Sequence, residues 1–130
     1  MTLERWWERA LPIAPVPSIR RLAVDAASWS QGAQEFAADN ALLLALWAAR
    51  AATGAAFVVR AAFVAKRAGL ILELSVADSN AAYPGLEALF PQASRMQRAA
   101  YDLWGLRSTD VDTRPWLRHG NPVNTAITIL

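Results

Sequence analysis

Two rhythms of hydrophobic and polar positions divide this chain: a helical spacing in three stretches, and a two-residue alternation between them. Leu3, Trp6, Trp7, Ala10 and Leu11 fall at i, i+3, i+4, i+7 and i+8, which predicts an amphipathic helix over residues 3–11 with Thr2 as its cap. Such a stripe needs a surface to lie on, either this domain's own sheet or another subunit or membrane. Pro12, Pro15 and Pro17 then impose an extended connection, because each lacks a backbone donor and turns its predecessor away from helix. Residues 18–25 read as a first strand, with Arg20, Leu22 and Val24 on one side, Ile19, Arg21 and Ala23 on the other, and a polarity suited to a sheet edge. Ser28 and Gln31 have the spacing of a capping box and open a helix in which Trp29, Ala33, Phe36 and Ala37 share a face, ending near Asn40.

Residues 41–50, ALLLALWAAR, are built of strong helix formers, with Asp39 or Asn40 available as a cap and Gly54 as a stop, so local preference alone makes them helix. The next two runs are strands. Phe57, Val59, Ala61 and Phe63 alternate with Val58, Arg60 and Val64, and Leu70, Leu72, Leu74 and Val76 alternate with Ile71, Glu73 and Ser75. Thr53-Gly54 and residues 66–69 supply the turns between these runs. A membrane span over residues 41–59 is opposed by Arg50, since a central arginine costs about 2.5–3.5 kcal/mol on insertion scales. Residues 78–83 form a polar turn and residues 84–90 one helical turn.

Residues 89–117 are the most informative stretch. A helix over residues 91–104 has both ends written in the sequence, Pro91 in its first turn and Gly105 just past its last. Met96, Ala99, Ala100, Leu103 and Trp104 make a face for burial, and Arg95, Arg98 and Asp102 make another. Arg98 and Asp102, four apart in the weaker basic-before-acidic order, contribute a few tenths of a kcal/mol, roughly. Residues 107–121 read as a loop punctuated by Pro115 and Gly120, and Val123, Thr125, Ile127 and Ile129 alternate as a further strand would.

The wording RMQRAAYDLWGL, preceded by YPGLEALFPQAS and followed by DTRPWLRHG, resembles the signature region of the C subunit of NADH:quinone oxidoreductase (complex I) and the related domain of membrane-bound energy-converting hydrogenases, including formate hydrogenlyase. The likeness spans residues 76–120. The family pattern runs approximately E-R-E-x-Y-D-L-F-G-[IL]. Arg98, Tyr101, Asp102, Leu103, Gly105 and Leu106 match it, Trp104 replaces Phe, and Gln97 and Ala99 replace the two acids. Of a second pattern, G-H-P-D-L-R-R, only Asp112 and Arg114 remain, with Asp110 where the His would stand. DTRPWLRHG is closer to the hydrogenase branch. The resemblance implies that residues 41–50 are a strand, paired in a meander with residues 55–65 and 70–77. It also implies that the domain carries no cofactor and lies against the large subunit of a hydrogenase, or the equivalent quinone-module subunit of NADH dehydrogenase. Its contact residues would be Arg98, Tyr101, Asp102, Asp112, Arg114, Trp116 and Arg118. Arg114, Trp116 and Arg118 alternate just after the helix, and Arg and Trp are the types most enriched at interface hot spots.

Composition narrows the alternatives. At 130 residues the chain is one domain by length, and folding buries somewhat over 60 per cent of its unfolded surface, roughly. With 55% hydrophobic residues, 18% charged and six tryptophans, it leaves apolar surface for a partner unless a dense core absorbs all of it. A net charge of +2 with scattered basic residues is not the footprint of a nucleic-acid binder. There are no cysteines, which excludes disulfides and thiolate-held metals in this chain, and His119 is the single histidine. Glu4 and Glu8 among the N-terminal hydrophobes are unlike a secretory signal, which predicts a cytoplasmic location, and the resemblance implies a place peripheral on the membrane through a complex. Phosphate-binding glycine motifs are absent from the sequence.

Together these readings predict an α+β domain, a small mixed and mostly antiparallel sheet with helices largely on one face, spanning residues 1–130. Its expected role is non-catalytic bracing of the large subunit of an oxidoreductase complex. A small-molecule or regulatory domain with a Trp-lined pocket is the alternative, and a hydrolase built on Asp102, Asp112 and His119 a weaker one.

Overall fold

Two apolar runs with a two-residue period, joined by a short turn, make residues 57–76 a hairpin. In the computed structural model, which describes residues 2–13, 16–52, 56–66, 68–77 and 82–110, strands β4 (Phe57–Ala65) and β5 (Ala68–Val76) pair antiparallel from Phe57↔Val76 to Ala65↔Ala68. Lys66, at φ 54°, takes the left-handed conformation of the turn between them. β3 (Leu42–Arg50) pairs antiparallel with the other side of β4, and completes the meander. Residues 42–50 are thus strand, as the resemblance implies, and not the helix their propensities favour. Helix propensity is a weak prior, and here a ready β4 edge buries Leu43 and Leu46 against the core.

β2 (Val16–Val24) runs parallel to β5, and β1 (Leu11–Ile13) pairs antiparallel with β2, giving the order β1-β2-β5-β4-β3. The architecture is the α+β arrangement expected, mixed and mostly antiparallel. β2 is an interior strand rather than an edge, because the three residues of β1 cover its free side. The sequence predicts helix over 3–11, but α1 is Thr2–Glu8 and Leu11 opens β1 with 64% of its surface exposed. Pro12 accounts for the change: it disfavours the helical conformation at Leu11.

α2 (Ala26–Ala38) is capped by Asp25, whose carboxylate accepts from the Ser28 N–H at 2.8 Å. The cap lies three residues ahead of the Ser28 that the sequence suggests. Trp29, Ala33 and Phe36 are buried as their spacing predicts, and Leu3 and Trp6 of α1 join them. Trp6 packs edge-on to Phe36 at 5.6 Å, while its indole N–H donates to Glu35 at 3.0 Å. Gly32 permits this approach, since a Cβ there would lie 3.2 Å from the Trp6 ring. Phe36 continues edge-on to Phe63, and Phe63 meets Phe90 at 5.4 Å, so one aromatic chain runs from α1 across the core face of the sheet. Each fully buried large side chain contributes about 1.5–3 kcal/mol.

Two carboxylates tie this packing to pH. The Trp6 indole and then the Gln31 amide hold Glu35 below its ordinary value, and the Ser28 backbone N–H does the same for Asp25. Groups with depressed folded pKa values contribute stability above their unfolded pKa and lose it as pH falls through the folded one. Stability is therefore expected to decline below about pH 4, and Glu35→Gln should flatten part of that decline in melting curves recorded between about pH 6 and about pH 3.

Candidate interaction surface

α3 (Ala93–Trp104) ends as the sequence predicts, with Gly105 left-handed at φ 75° and its N–H bonded to the Tyr101 carbonyl. Its start differs slightly. Pro91 sits in a turn that leads into the helix, where the Ala93 N–H bonds the Phe90 carbonyl, and Gln92 supplies no side-chain cap.

The buried side of α3 is rotated from the one the apolar spacing suggests. Ala93, Gln97 and Ala100 are buried, whereas Ala99 is exposed and Leu103 is 71% exposed. The reason is that α3 packs partly through polar groups. β3 is the last strand of the sheet, and three α3-side groups satisfy its outward backbone. The Gln92 amide donates to Leu43 O at 3.2 Å, the Leu46 N–H donates to Met96 Sδ at 3.1 Å, and the Trp104 indole donates to Ala48 O at 3.1 Å. Residues 92, 96 and 104 share one helix stripe, so the helix runs along the sheet edge and closes it.

Gln97 anchors a second network. Its side-chain oxygen accepts from the Leu86 N–H at 2.8 Å, and its amide donates to Asp110 at 3.1 Å and to Ser108 Oγ at 3.3 Å. The same Asp110 oxygen accepts from the Glu87 N–H at 2.7 Å. Thr109 Oγ1 accepts from the Gly85 N–H, and Tyr83 exchanges backbone bonds with Arg107 and Thr109. Gly85 is required by contact rather than by φ, because a Cβ there would fall on the Asp110 carboxyl group. Trp29 reaches across from α2 to donate to Pro84 O at 2.9 Å and meets Tyr83 edge-on. The Tyr83 ring is buried and its hydroxyl has no hydrogen-bond partner among the described residues. Burial first, and then the charge of Asp110, raise its pKa, so the phenol stays neutral.

The result is a rigid platform made of residues 82–90, α3 and residues 105–110. On its outer side lie three of the residues expected at a partner contact. Arg98 and Asp102 approach to 3.7 Å, as their spacing predicts, and Tyr101 is 38% exposed with the Arg107 guanidinium 5.4 Å above its ring. Leu103 stands beside them. Asp112, Arg114, Trp116 and Arg118, with His119 and the alternating residues near 123–129, lie outside the described residues. Of the trio weighed as a hydrolase, only Asp102 is described, and it is paired with Arg98. The described tryptophans do not converge on one pocket. Trp6 and Trp29 are in the core, Trp7 lies 3.7 Å from the Arg20 guanidinium, Trp104 packs on Phe57, and Trp47 stands on the other face of the sheet. Among the described residues no group of three or more His, Cys, Asp or Glu has metal-binding geometry, and no helix is long and apolar enough to cross a membrane.

Sequence reasoning missed Gln97 and Asp110 as partners. Each departs from the family pattern by itself, an amide where the pattern has an acid and an acid where it has a histidine. In the structure the two departures touch. One signal was available: a polar residue among the apolar positions of a helix face is buried only when something satisfies it.

No protein-family model and no characterised protein matches this sequence. The fold, in contrast, matches the solved trypsin-resistant fragment (1-134) of Nqo5, with a TM-score of 0.69 at 16% identity, over 84% of this chain and 96% of that one. The two share a fold. Nqo5 belongs to NADH:quinone oxidoreductase, complex I. At this identity the correspondence extends to the course of the backbone and not to the side chains of a site.

Proposed function

We propose that this chain is a non-catalytic docking domain of a membrane-associated oxidoreductase complex, which braces the large catalytic subunit. The observation that carries the proposal is the clamped platform. Gln97, Asp110 and Trp29 fix residues 82–110, and this fixed base holds Arg98, Tyr101, Asp102 and Leu103 outward. Preorganisation of this kind lowers the ordering cost of association. The fold shared with Nqo5 supports the same reading, as does the signature wording from Arg95 to Leu106. The partner would be the large subunit of a hydrogenase or the quinone-module subunit of an NADH dehydrogenase. Asp112, Arg114, Trp116 and Arg118 would extend the contact, and electron and proton chemistry would belong to the partner. The domain itself would sit on the cytoplasmic face, held to the membrane only through the complex.

Affinity capture from gently solubilised native membranes and cytosol tests this. The unmodified chain should recover a hydrogenase or dehydrogenase large subunit, and the identity of that subunit decides the branch. Recovery should fall at least about tenfold with the Arg114→Glu, Trp116→Ala double variant and with Leu103→Glu, a loss typical of hot-spot changes. If the unmodified chain recovers no such subunit from an extract that contains one, the proposal fails.

A further inference from the structure

We propose that the face of the sheet on which none of the described helices packs is a second docking surface, and that its occupant is an apolar protein surface bearing carboxylates. The outward positions of the strands are not those of an ordinary solvated sheet. Ile19 and Ile71 lie beside Ala62 and Val64, and Leu44 and Trp47 follow on β3, with Leu44 62% and Trp47 37% exposed. Antiparallel sheets with one wet face carry polar residues there. A contiguous apolar patch of this kind marks an interaction site.

The polar groups at its centre say what fits. Arg60 stands between Trp47 and Glu73 in the ladder and donates to Glu73 at 2.8 Å through Nε. Arg21 reaches the same carboxylate only at 4.0 Å, and 53% of its side chain is exposed. Two guanidinium groups therefore share one carboxylate, inside a groove of about 430 Å³ that Ile13, Ile71 and Trp47 also line. Covering this face with an apolar surface would desolvate an excess positive charge, which is strongly unfavourable unless the covering surface brings an anion. A second copy of the chain does not bring one. Face to face about a two-fold axis, two copies would confine four guanidinium groups with two carboxylates. A partner placing a glutamate or aspartate between Arg21 and Arg60, within a leucine-like apolar surround, completes the cluster. Arginine's planar fork suits that carboxylate.

The test uses the full chain and three helical peptides with one apolar stripe, identical except for Glu, Gln or Lys at its centre, followed by anisotropy of a label on the peptide. The glutamate peptide should bind about tenfold more tightly than the lysine peptide at low salt. Arg21→Gln with Arg60→Gln should abolish that preference, and Trp47→Ala should weaken all binding. Equal affinity for the three peptides, or no binding of the glutamate peptide up to about 1 mM, overturns the proposal. So does a dimer in sedimentation that Trp47→Glu dissociates, or displacement of the peptide by vesicles of anionic lipid. The surface is independent of the one on α3. Leu103→Glu should leave the peptide preference intact, so either reading can fail alone.

Discussion

Trp29→Ala is expected to lower unfolding stability by about 3–5 kcal/mol, the range for truncating a buried tryptophan. Trp29 is wholly buried, and it does two things that no neighbour duplicates. It fills the space between α2 and Tyr83, and its indole N–H is the donor for Pro84 O. Removing it leaves a cavity and a carbonyl without its partner. A small domain has only about 5–15 kcal/mol in total, so the variant should be partly unfolded at physiological temperature. Trp29→Phe separates the two effects. It keeps most of the apolar volume and loses the donor, and should cost about 1–3 kcal/mol. Urea denaturation followed by far-UV circular dichroism measures both. A Trp29→Ala protein within about 1 kcal/mol of the parent would show that α2 and residues 82–90 are not coupled as described.

Gln97→Glu has the second largest expected effect and a distinctive pH dependence. The amide that donates to Asp110 becomes a carboxylate, setting two acids about 3.1 Å apart at a buried site. At neutral pH this should cost about 2–4 kcal/mol, through a lost donor and like-charge repulsion. The introduced carboxyl has its folded pKa raised above the unfolded value. Its neutral form, which can donate as the amide did, is therefore favoured at low pH. The defect should shrink as pH falls through that raised pKa and grow as pH rises through it, the reverse of the trend set by Glu35 and Asp25. Adding Asp110→His to Gln97→Glu restores complementary partners, and should recover more than half of the loss at neutral pH, roughly. A Gln97→Glu variant equally destabilised at every pH would mean that size and shape, not charge, govern the site.

These two variants separate what the sequence makes legible from what it hides. The β4–β5 hairpin was readable because every second residue is apolar, and burial follows that parity without exception from Phe57 to Ala65. The burial of Trp29, Ala33 and Phe36 on one face of α2 follows equally from helical spacing. Residues 41–50 were not readable from propensity, since Ala and Leu fit either conformation and only the presence of β4 decides. Leu103 looked buried because it is apolar, yet α3 turns Gln97 inward in its place. Hydrogen bonds to residues 11 and 13 positions away stabilise that choice, and no local pattern encodes them. The placement of Arg98, Tyr101 and Asp102 together on the outer side of one helix was legible from their spacing. The opposite sheet face was not, because its meaning depends on Trp47, Arg60, Glu73 and Arg21 arriving from four different strands.

The alignment of Gln92, Met96 and Trp104 along the outer backbone of β3 has a consequence for the life of the free chain. An uncapped strand bearing Leu42 and Leu44 is a template for intermolecular β-pairing. The helix that carries the proposed docking residues is thus also a guard against self-assembly. Any lesion that loosens α3 exposes the sheet edge, so a chain damaged there would be lost to aggregation, and on the proposed docking role it would lose its partner contact at the same moment.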